Sequence, residues 1–310
     1  MATPSFWKSN PMVPSWTEHW KSWWNSYPPR MLTTQNIHIP IRSLPGLTLR
    51  KGTPTDAQSL SEFWERWYTI SSKSRCCIPA TIIRDNIQKN RWDIWILTRN
   101  DTHTLVGSII RRVIKGLHIQ KAVWPTAGVV DFFCIHPAWR KKGLGHQLLA
   151  SIQNSHTTVP PPHLILWEGL RVDIPPLSIG ALWMKRCVSQ GVAARIVKGQ
   201  EAVDAWRNCT AKMTIWSDYT ESSEVLIWSV KSGNVITWNT FHRSIPDGSP
   251  IEIILAYSSK EAVDEYTKSF QGVLLSDTWF DGWTFDSPFQ WIAYNLNPGS
   301  IQTRFPCISF

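Results

Sequence analysis

The stretch that decides the fold is Val129-Val-Asp-Phe-Phe-Cys-Ile-His-Pro-Ala-Trp-Arg-Lys-Lys-Gly-Leu-Gly-His-Gln-Leu-Leu149. Its first seven residues are almost entirely apolar or aromatic, as in a central strand that is covered on both faces. Pro137 cannot continue a ladder of hydrogen bonds, so the strand ends before it. Leu144, Leu148 and Ile152 then recur at helical spacing. The stretch therefore predicts a strand, a turn and a helix.

The turn is basic and contains glycine. Arg140, Lys141 and Lys142 supply positive charge, while Gly143 and Gly145 lack a Cβ and let backbone N–H groups approach a ligand closely. The unpaired N–H groups and the positive dipole end of the following helix point at the same place. The turn therefore predicts a phosphate site; the alternative is an ordinary strand–turn–helix with a solvated basic turn.

The Arg-x-x-Gly-x-Gly spacing resembles the coenzyme A pyrophosphate loop of the GNAT superfamily of N-acetyltransferases, in which the preceding strand also holds the thioester. The resemblance implies that the coenzyme is bound by Arg140, Lys141, Lys142, Gly143, Leu144 and Gly145.

Composition narrows the class of protein. With 310 residues and 43% hydrophobic content, the chain can bury a large core and is long enough for two domains. The net charge is +9, but the basic residues are scattered and show no zinc-finger spacing or basic helix. We therefore expect an acidic ligand rather than nucleic acid. The 20 Trp residues suit an apolar ligand channel or a membrane or protein interface, with core packing as the alternative.

The six cysteines lack metal-ligand spacing, and Cys134 lies within the apolar strand, so we expect free thiols in a reducing compartment. No run of eighteen apolar residues is present, and the N-terminus does not resemble a signal sequence. We expect a cytoplasmic protein with no metal and no permanently bound cofactor.

Residues 1–45 are rich in Pro and Trp and are predicted to form an N-terminal arm. Ser15-Trp-Thr-Glu18 has the form of a capping box and opens a short helix with several Trp residues. This helix either packs on the body of the protein or makes a peripheral membrane contact.

Residues 46–200 are predicted to form the ligand-binding half. A strand through Leu49 is followed by a cap at Thr53–Asp56 and an amphipathic helix. Further predicted elements are a helix at 80–89 and strands at 92–98, 105–114 and 164–168. A last helix is expected to begin at Ser178, to carry Ile179, Leu182, Trp183 and Arg186, and to end at Gly191.

Residues 201–310 are predicted to form a second half of the same kind. A hairpin of strands 225–230 and 235–241, a strand at 251–257 and a helix at 261–270 repeat the order of the first half. This half lacks a glycine-rich phosphate turn, so we expect it to shape the substrate site. The predicted fold class is α/β (α+β), with two tandem halves, each a mixed twisted sheet flanked by helices.

Further stretches resemble the eukaryotic N-myristoyltransferases. Phe6-Trp7-Lys-Ser-Asn-Pro-Met-Val-Pro14 looks like the arm that covers the coenzyme in that family. Leu105-Val-Gly-Ser-Ile109, Phe132-Phe-Cys-Ile-His136 and Arg140 occur in the family's order. Phe285 to Asn295 looks like a strand near its C-terminus.

The resemblance implies an activity. In that family, the first half binds myristoyl-CoA, and a peptide with an N-terminal glycine lies between both halves. Backbone N–H groups of Phe132 and Phe133 would then form an oxyanion hole. The C-terminal carboxylate, on Phe310 here, would take the proton from the amine; a loosely docked tail is the alternative.

Some positions depart from the family pattern. Asp131 stands in place of an Asn, Gly169 in place of a Thr, and Lys185 in place of a His. Asp131 or Glu168 could instead act as the base, or could pair with nearby basic residues. Lys73 and Arg75 replace an acidic loop, which favours a different peptide.

Three functions follow from the sequence. The first is transfer of a myristoyl group from acyl-CoA to an N-terminal glycine. The second is acetyl-CoA-dependent N-acetylation, and the third is a catalytically inactive structural homologue.

Overall fold

The computed structural model of the chain describes residues 15–33, 38–69, 73–114, 117–119, 122–155, 162–170, 173–188, 195–197, 213–215, 225–254 and 258–297. Its α-helices are α1 Trp16–Trp24, α2 Ala57–Trp67, α3 Ala80–Gln88, α4 Leu144–Asn154 and α5 Lys260–Thr267. Its strands are β1 Arg30–Met31, β2 Leu47–Lys51, β3 Ser74–Cys76, β4 Trp92–Arg99, β5 Leu105–Ile114, β6 Leu117–Ile119, β7 Ala122–Trp124, β8 Ala127–Ile135, β9 His163–Glu168, β10 Ser178–Val188, β11 Arg195–Val197, β12 Met213–Ile215, β13 Val225–Val230, β14 Gly233–Ser244, β15 Pro250–Ile254, β16 Gln271–Ser276, β17 Thr284–Tyr294 and β18 Leu296–Asn297.

Thirteen of these described strands form one continuous sheet. Its order is β11-β13-β14-β15-β16-β10-β17-β9-β8-β5-β4-β2, with β3 paired to β14. The mixed α/β class predicted from the sequence is confirmed. The two predicted sheets are joined edge to edge, because β9 of the first half and β16 of the second are linked through β17 and β10.

The same arrangement of strands occurs twice along this sheet. In the first half, β4, β5 and β8 are antiparallel, and β8 then runs parallel to β9 through the crossover helix α4. In the second half, β13, β14 and β15 are antiparallel, and β15 runs parallel to β16 through α5. The repeated order expected from the sequence is therefore present in the topology, while the boundary at residue 200 stays a prediction.

The helix expected to begin at Ser178 is wrong, because residues 178–188 form the long strand β10. The strand has a register shift against β17 between Leu182 and Trp183. Such a shift breaks the alternation of the two faces, so that the apolar residues recur at a spacing that looks helical. Neighbouring strands on both sides of β10 then decide its conformation.

The first half builds its core as its sequence pattern indicates. Leu60, Phe63 and Trp64 on α2 are buried against the sheet. The helix follows a short 3-10 turn at Pro54–Asp56, where the backbone N–H of Thr53 donates to the Asp56 carboxylate at 2.8 Å. The predicted cap and stripe are thus both present.

The described part of the arm is attached to the body of the protein. At the predicted capping box, the Ser15 N–H donates to Glu18 and the Glu18 N–H donates to the Ser15 hydroxyl, both at 3.2 Å. Asn154 on α4 pairs with both backbone groups of Ile39, at 2.9 and 2.7 Å. Helix α1 packs near β18 and buries Ser22, yet Trp24 is 81% exposed. Among the described residues, no helix has the length and apolar character needed to cross a membrane.

Candidate functional site

A β-bulge interrupts the strand that the sequence singled out. The pairing of β5 with β8 shifts between Ser108 and Ile110, so that Phe132 and Phe133 lie opposite a single residue. Phe132 has a φ of +46°, a left-handed conformation that costs an L-residue about 1–2 kcal/mol. Bulges of this kind change the direction of a strand and occur next to functional sites.

Aromatic packing holds the bulge in place. The ring of Phe132 is 4% exposed and lies 4.8 Å from the ring of Trp64, 5.0 Å from Tyr68 and 6.0 Å from Trp92. The indole N–H of Trp64 donates to the Ser108 hydroxyl at 2.8 Å, and that hydroxyl donates to the Phe132 carbonyl at 3.4 Å. Burial of an aromatic side chain contributes more than the strain costs.

Asp131 is buried beside the bulge and has three partners. Its Oδ2 lies 2.9 Å from Nη2 of Arg112, with both side chains 5% exposed. Its Oδ1 accepts from the Tyr68 hydroxyl at 3.2 Å and from the Phe132 N–H at 2.8 Å. The geometry is that of a buried ion pair, the second of the two roles weighed for this residue, and a role as base stays a prediction.

A gap opens between the two parallel strands next to the bulge. Pairing of β8 with β9 runs from Gly128 and His163 to Val130 and Ile165 and goes no further. Both strands continue for at least three more residues, to Ile135 and Glu168. The gap therefore opens level with the bulge.

The backbone of Phe133 is directed toward this gap. The His136 N–H donates to the Val106 carbonyl on β5 at 2.9 Å. Because alternate N–H groups of a strand point to opposite sides, the amides of Ile135 and Phe133 then point away from β5, on the β9 side. The Phe132 amide is already occupied by Asp131. Of the two predicted oxyanion donors, Phe133 is the one that strand alternation directs toward the gap.

The basic turn follows β8 after a short 3-10 turn at Pro137–Trp139. Lys141 has a φ of +63° and Gly143 a φ of +78°, and alternating left-handed residues form concave arrays of N–H groups that bind anions. Nε of Arg140 donates to the Ile135 carbonyl at 2.9 Å, which fixes its side chain at the strand end. Nζ of Lys142 lies 4.5 Å from the centre of the Trp139 ring. All three cationic side chains are exposed.

The N-terminus of α4 lacks a side-chain cap, whereas the equivalent helix of the second half has one. Gly143 occupies the cap position of α4 and offers no side chain to the first N–H groups. On α5, the Ser259 hydroxyl accepts from the Ala262 N–H at 3.2 Å. Burial, and secondarily the charge of Arg42, lowers the pKa of His146 in the first turn of α4. This helix end is therefore suited to a phosphate group.

The close approach of the Phe133 ring leaves room only for a glycine at position 145. A Cβ at this position would lie 2.8 Å from Cζ of Phe133 and 3.6 Å from Cδ1 of Ile135. The first turn of α4 therefore packs directly against the strand that borders the gap. The two glycines of the turn serve different purposes, since Gly143 supplies a left-handed φ and Gly145 supplies space.

A thiol nucleophile is disfavoured at this place. Burial raises the pKa of Cys134 to about 12, with a smaller opposite effect from Arg140. The thiol is therefore protonated at neutral pH and would be a weak nucleophile. Cys76, Cys77, Cys134 and Cys187 are free thiols, as the sequence analysis predicted for the cysteines.

The structure brings most of the predicted residues together, and some lie outside the described residues. Asp131, Phe132 and Phe133 border the gap, and the basic turn from Arg140 to Gly145 lies beside it. The backbone of Glu168 ends β9 level with Phe133, while its side chain is outside the described part of the structure. Phe6, Trp7 and Phe310 are also outside the described residues.

Sequence reasoning did not identify Arg112 and Tyr68 as part of this site. The sequence did indicate a cationic partner such as Arg112, because Asp131 within an apolar strand requires a buried cation nearby. Arg111 and Arg112 interrupt the apolar run of the neighbouring strand β5. Tyr68 gave no signal, since it follows α2 and reaches Asp131 only through the tertiary fold.

The chain is similar to known proteins in structure, but the sequence comparisons found no match. No protein-family model matches the chain, and no curated protein sequence matches it. A structure of Saccharomyces cerevisiae N-myristoyltransferase with bound myristoyl-CoA aligns with a TM-score of 0.66 at 10% identity, covering 96% of this chain and 93% of that one. A second, with bound myristoyl-CoA and inhibitors, aligns with a TM-score of 0.68 at 10% identity, over 97% and 91% of the two chains.

The chain has the N-myristoyltransferase fold. The structural resemblance predicted from the sequence is therefore confirmed over nearly the whole chain. The bulge, the gap and the basic turn all belong to the first of the two repeated halves of this N-myristoyltransferase-like fold.

Proposed function

We propose that this protein is an acyltransferase that moves a long acyl chain, such as myristoyl, from acyl-CoA to the N-terminal glycine amine of a protein. The observation that carries the proposal is the gap beside Phe133, which opens next to an uncapped helix end with three exposed cations. Acyl-CoA combines a thioester with phosphate groups, so its two parts match the two parts of the site. The fold shared with myristoyl-CoA-bound structures supports the same assignment.

Different parts of the site have different roles in the proposed reaction. The basic turn and the N-terminus of α4 hold the phosphates of the coenzyme, and the gap between β8 and β9 receives the thioester. The attacking amine nitrogen forms a bond to the thioester carbon, negative charge develops on the oxygen, and the C–S bond breaks as the thiolate leaves. The Phe133 N–H stabilises the oxygen in a site poor in water.

A base must remove a proton from the amine. An N-terminal ammonium has a pKa of about 7.7–8.0, so at neutral pH it is mostly protonated and cannot attack. The N-myristoyltransferase resemblance implies a C-terminal carboxylate as the acceptor, and Glu168, at the level of the gap, is the alternative. Asp131 is already engaged by Arg112, Tyr68 and the Phe132 amide, which makes it the weaker choice.

One observation favours a second function, that of a non-catalytic homologue. The Asp131 carboxylate occupies the Phe132 amide, which is one of the two donors expected in the oxyanion hole. A protein that had lost catalysis would tolerate this arrangement. Such a protein would transfer no acyl group, whether or not it still binds acyl-CoA.

The deciding experiment is calorimetric titration of the full chain with myristoyl-CoA, acetyl-CoA and free coenzyme A. Much tighter binding of myristoyl-CoA supports the long-chain acyltransferase and warrants a transfer assay on glycine peptides. Equal affinities for the two acyl-CoAs favour an acetyltransferase. Absence of binding contradicts both activities, and binding without transfer supports the non-catalytic homologue.

A charge variant assigns the binding to the basic turn. Replacing Arg140, Lys141 and Lys142 by Gln removes three positive charges, and we expect the affinity for all three ligands to fall at least tenfold. The matched control replaces the exposed Lys231, Lys260 and Lys268 of the second half by Gln. Equal losses in both variants would indicate a general effect of net charge and would contradict the assignment.

A further inference from the structure

A cavity of about 160 Å³ lies on the second half of the sheet, apart from the basic turn. Its apolar lining comes from β10, β15, β16 and the β14–β15 turn: Met184, Pro246, Ile251, Val273 and Leu275. The polar lining residues are Lys73, Ser74, Arg186, Ser244 and Asp286. An apolar protein cavity of roughly 150 Å³ accommodates benzene, so this one is large enough for a single Leu or Phe side chain.

Two cations and one carboxylate surround this cavity. Nη2 of Arg186 donates to the Ser244 hydroxyl at 3.0 Å, and Nη1 forms an ion pair with the exposed Asp247. An exposed ion pair contributes about 0–1 kcal/mol, and a guanidinium has five N–H donors, so Arg186 can also bind an incoming carboxylate. Asp286 accepts a hydrogen bond from the Ser287 hydroxyl. Because Asp247 and Asp286 together balance Lys73 and Arg186, the preference for an acidic ligand depends on the N–H donors that the guanidinium of Arg186 has beyond these two contacts.

The strand register relates the cavity to the gap. Glu168 at the end of β9 pairs with Phe289 on β17, which pairs with Gly180 on β10. Strand β10 runs in the same direction as β8 and β9, because it is separated from β9 by one antiparallel neighbour. Met184 and Arg186 therefore lie four and six residues farther along that direction. The cavity is at the same end of the sheet as the gap.

Contacts of Tyr68 and of β3 relate the two places on one face of the sheet. Tyr68 contacts the Phe132 ring at 5.0 Å and the His242 ring at 5.7 Å. A few residues later, Ser74 pairs with Ser244 across β3 and β14, and both residues line the cavity. Tyr68 beside the bulge and Ser74 beside the cavity therefore lie on the same side of the sheet.

We propose that this cavity binds an apolar side chain of the substrate protein, at about the sixth to eighth residue, next to an acidic residue that pairs with Arg186. This inference rests on the proposed function, because it takes the reacting glycine to lie in the gap. Two strand spacings of about 4.8 Å and four to six residues of about 3.3 Å give a separation of roughly 16–22 Å. An extended peptide covers that distance in about five to seven residue steps, which leads from the reacting glycine to about the sixth to eighth residue.

The test measures peptide binding separately from acyl transfer. Peptides of ten residues with an N-terminal glycine and a C-terminal fluorophore carry Leu-Glu, Leu-Lys or Ala-Glu at successive positions. Fluorescence anisotropy gives their affinity for the full chain, with and without a non-hydrolysable thioether analogue of myristoyl-CoA. We expect peptides with the Leu of Leu-Glu at positions six to eight to bind at least tenfold more tightly than those with Ala-Glu or Leu-Lys.

Variants assign that preference to the cavity. Met184→Trp fills the cavity, and we expect it to abolish the difference between the Leu-Glu and Ala-Glu peptides. The control Val188→Trp places the same bulk on an 82% exposed position of the same strand and should preserve the difference. Arg186→Glu should reverse the order of the Leu-Glu and Leu-Lys peptides, while Lys268→Glu at the C-terminal end of α5 should not.

Each outcome has a distinct meaning. Equal affinity for the Leu-Glu and Ala-Glu peptides, or a preference that Met184→Trp does not change, overturns the inference. Tighter binding of Leu-Lys overturns its acidic part and assigns the charge to Asp286. Absence of myristoyl-CoA binding would contradict the proposed function itself. Acyl transfer without a Leu-Glu preference would contradict only the inference about the cavity.

Discussion

The ring of Phe133 lies so close to the backbone of Gly145 that a Cβ on the glycine would stand 2.8 Å from Cζ of the ring. This contact joins the strand that borders the gap to the helix that begins at the basic turn. The parts of the proposed site that bind the phosphates and the thioester are therefore coupled through Gly145, which has no side chain.

Gly145→Ala should weaken myristoyl-CoA binding several-fold while leaving folding nearly unchanged. The added methyl group displaces the Phe133 ring and disturbs the strand that borders the gap, and overpacking of this kind costs about 1–3 kcal/mol. Replacing a helical Gly by Ala recovers about 1 kcal/mol. Urea unfolding and calorimetric titration measure the two effects on the same protein.

Gly143→Ala is the matched control for that variant. No atom lies within 4 Å of a Cβ at this position, but its φ of +78° costs an L-residue about 1–2 kcal/mol. We expect a loss of stability with a smaller loss of affinity. If Gly143→Ala weakened binding as much as Gly145→Ala, the contact with Phe133 would not be the cause.

Removing Arg112 should be among the most destabilising single changes in the first half. Arg112→Met leaves the Asp131 carboxylate buried without its cation, and loss of one partner from a buried pair costs about 3–5 kcal/mol. The double variant with Asp131→Ala should cost less than the sum of the two single changes. Urea unfolding of the four proteins measures this, and additive losses would contradict a coupled pair.

Local patterns in the sequence predicted most of the elements, because their signals lie within a few residues. The capping box at Ser15, the stripe on α2 and the turn before α4 each depend on neighbours in the chain. The order of β13, β14, β15 and α5 was also predicted correctly, although residues 255–257 of the expected strand lie outside the described residues.

The remainder depends on contacts between distant residues. Strand β10 was predicted as a helix because its bulge at Leu182 hides the alternation of its faces. The bulge at Phe132 has no local sign either, since it is held by Trp64 on α2, by Tyr68 just after that helix and by Trp92 on β4. The basic turn of the candidate site was visible in the sequence, whereas the ion pair of Asp131 with Arg112 required the register of two strands.

Gly169→Thr should destabilise the protein, although Thr is the residue that the N-myristoyltransferase resemblance places there. Gly169 has a φ of +87°, and a β-branched residue in that conformation costs about 1–3 kcal/mol. Space is not the cause, because nothing lies within 4 Å of a Cβ at this position. Gly169→Asn should cost less, since Asn tolerates the left-handed region better. Equal unfolding midpoints for the Thr variant and the native protein would contradict this account.

Stability should fall in acid because of the cap at the start of α2. The hydrogen bond from Arg50 lowers the pKa of Asp56 to about 2, with smaller contributions from Thr53 and the charge of Arg50 and an opposite one from burial. A lowered folded-state pKa means that the stabilisation is complete above the unfolded-state pKa of about 3.9 and is lost as the pH falls toward the folded value.

Asp56→Asn should therefore destabilise by about 1 kcal/mol at pH 6 and by much less near pH 2.5. Urea midpoints at the two pH values measure the difference. Asp85→Asn on the exposed Lys89 pair serves as the control, and an equal pH dependence in both variants would contradict a specific role for the cap.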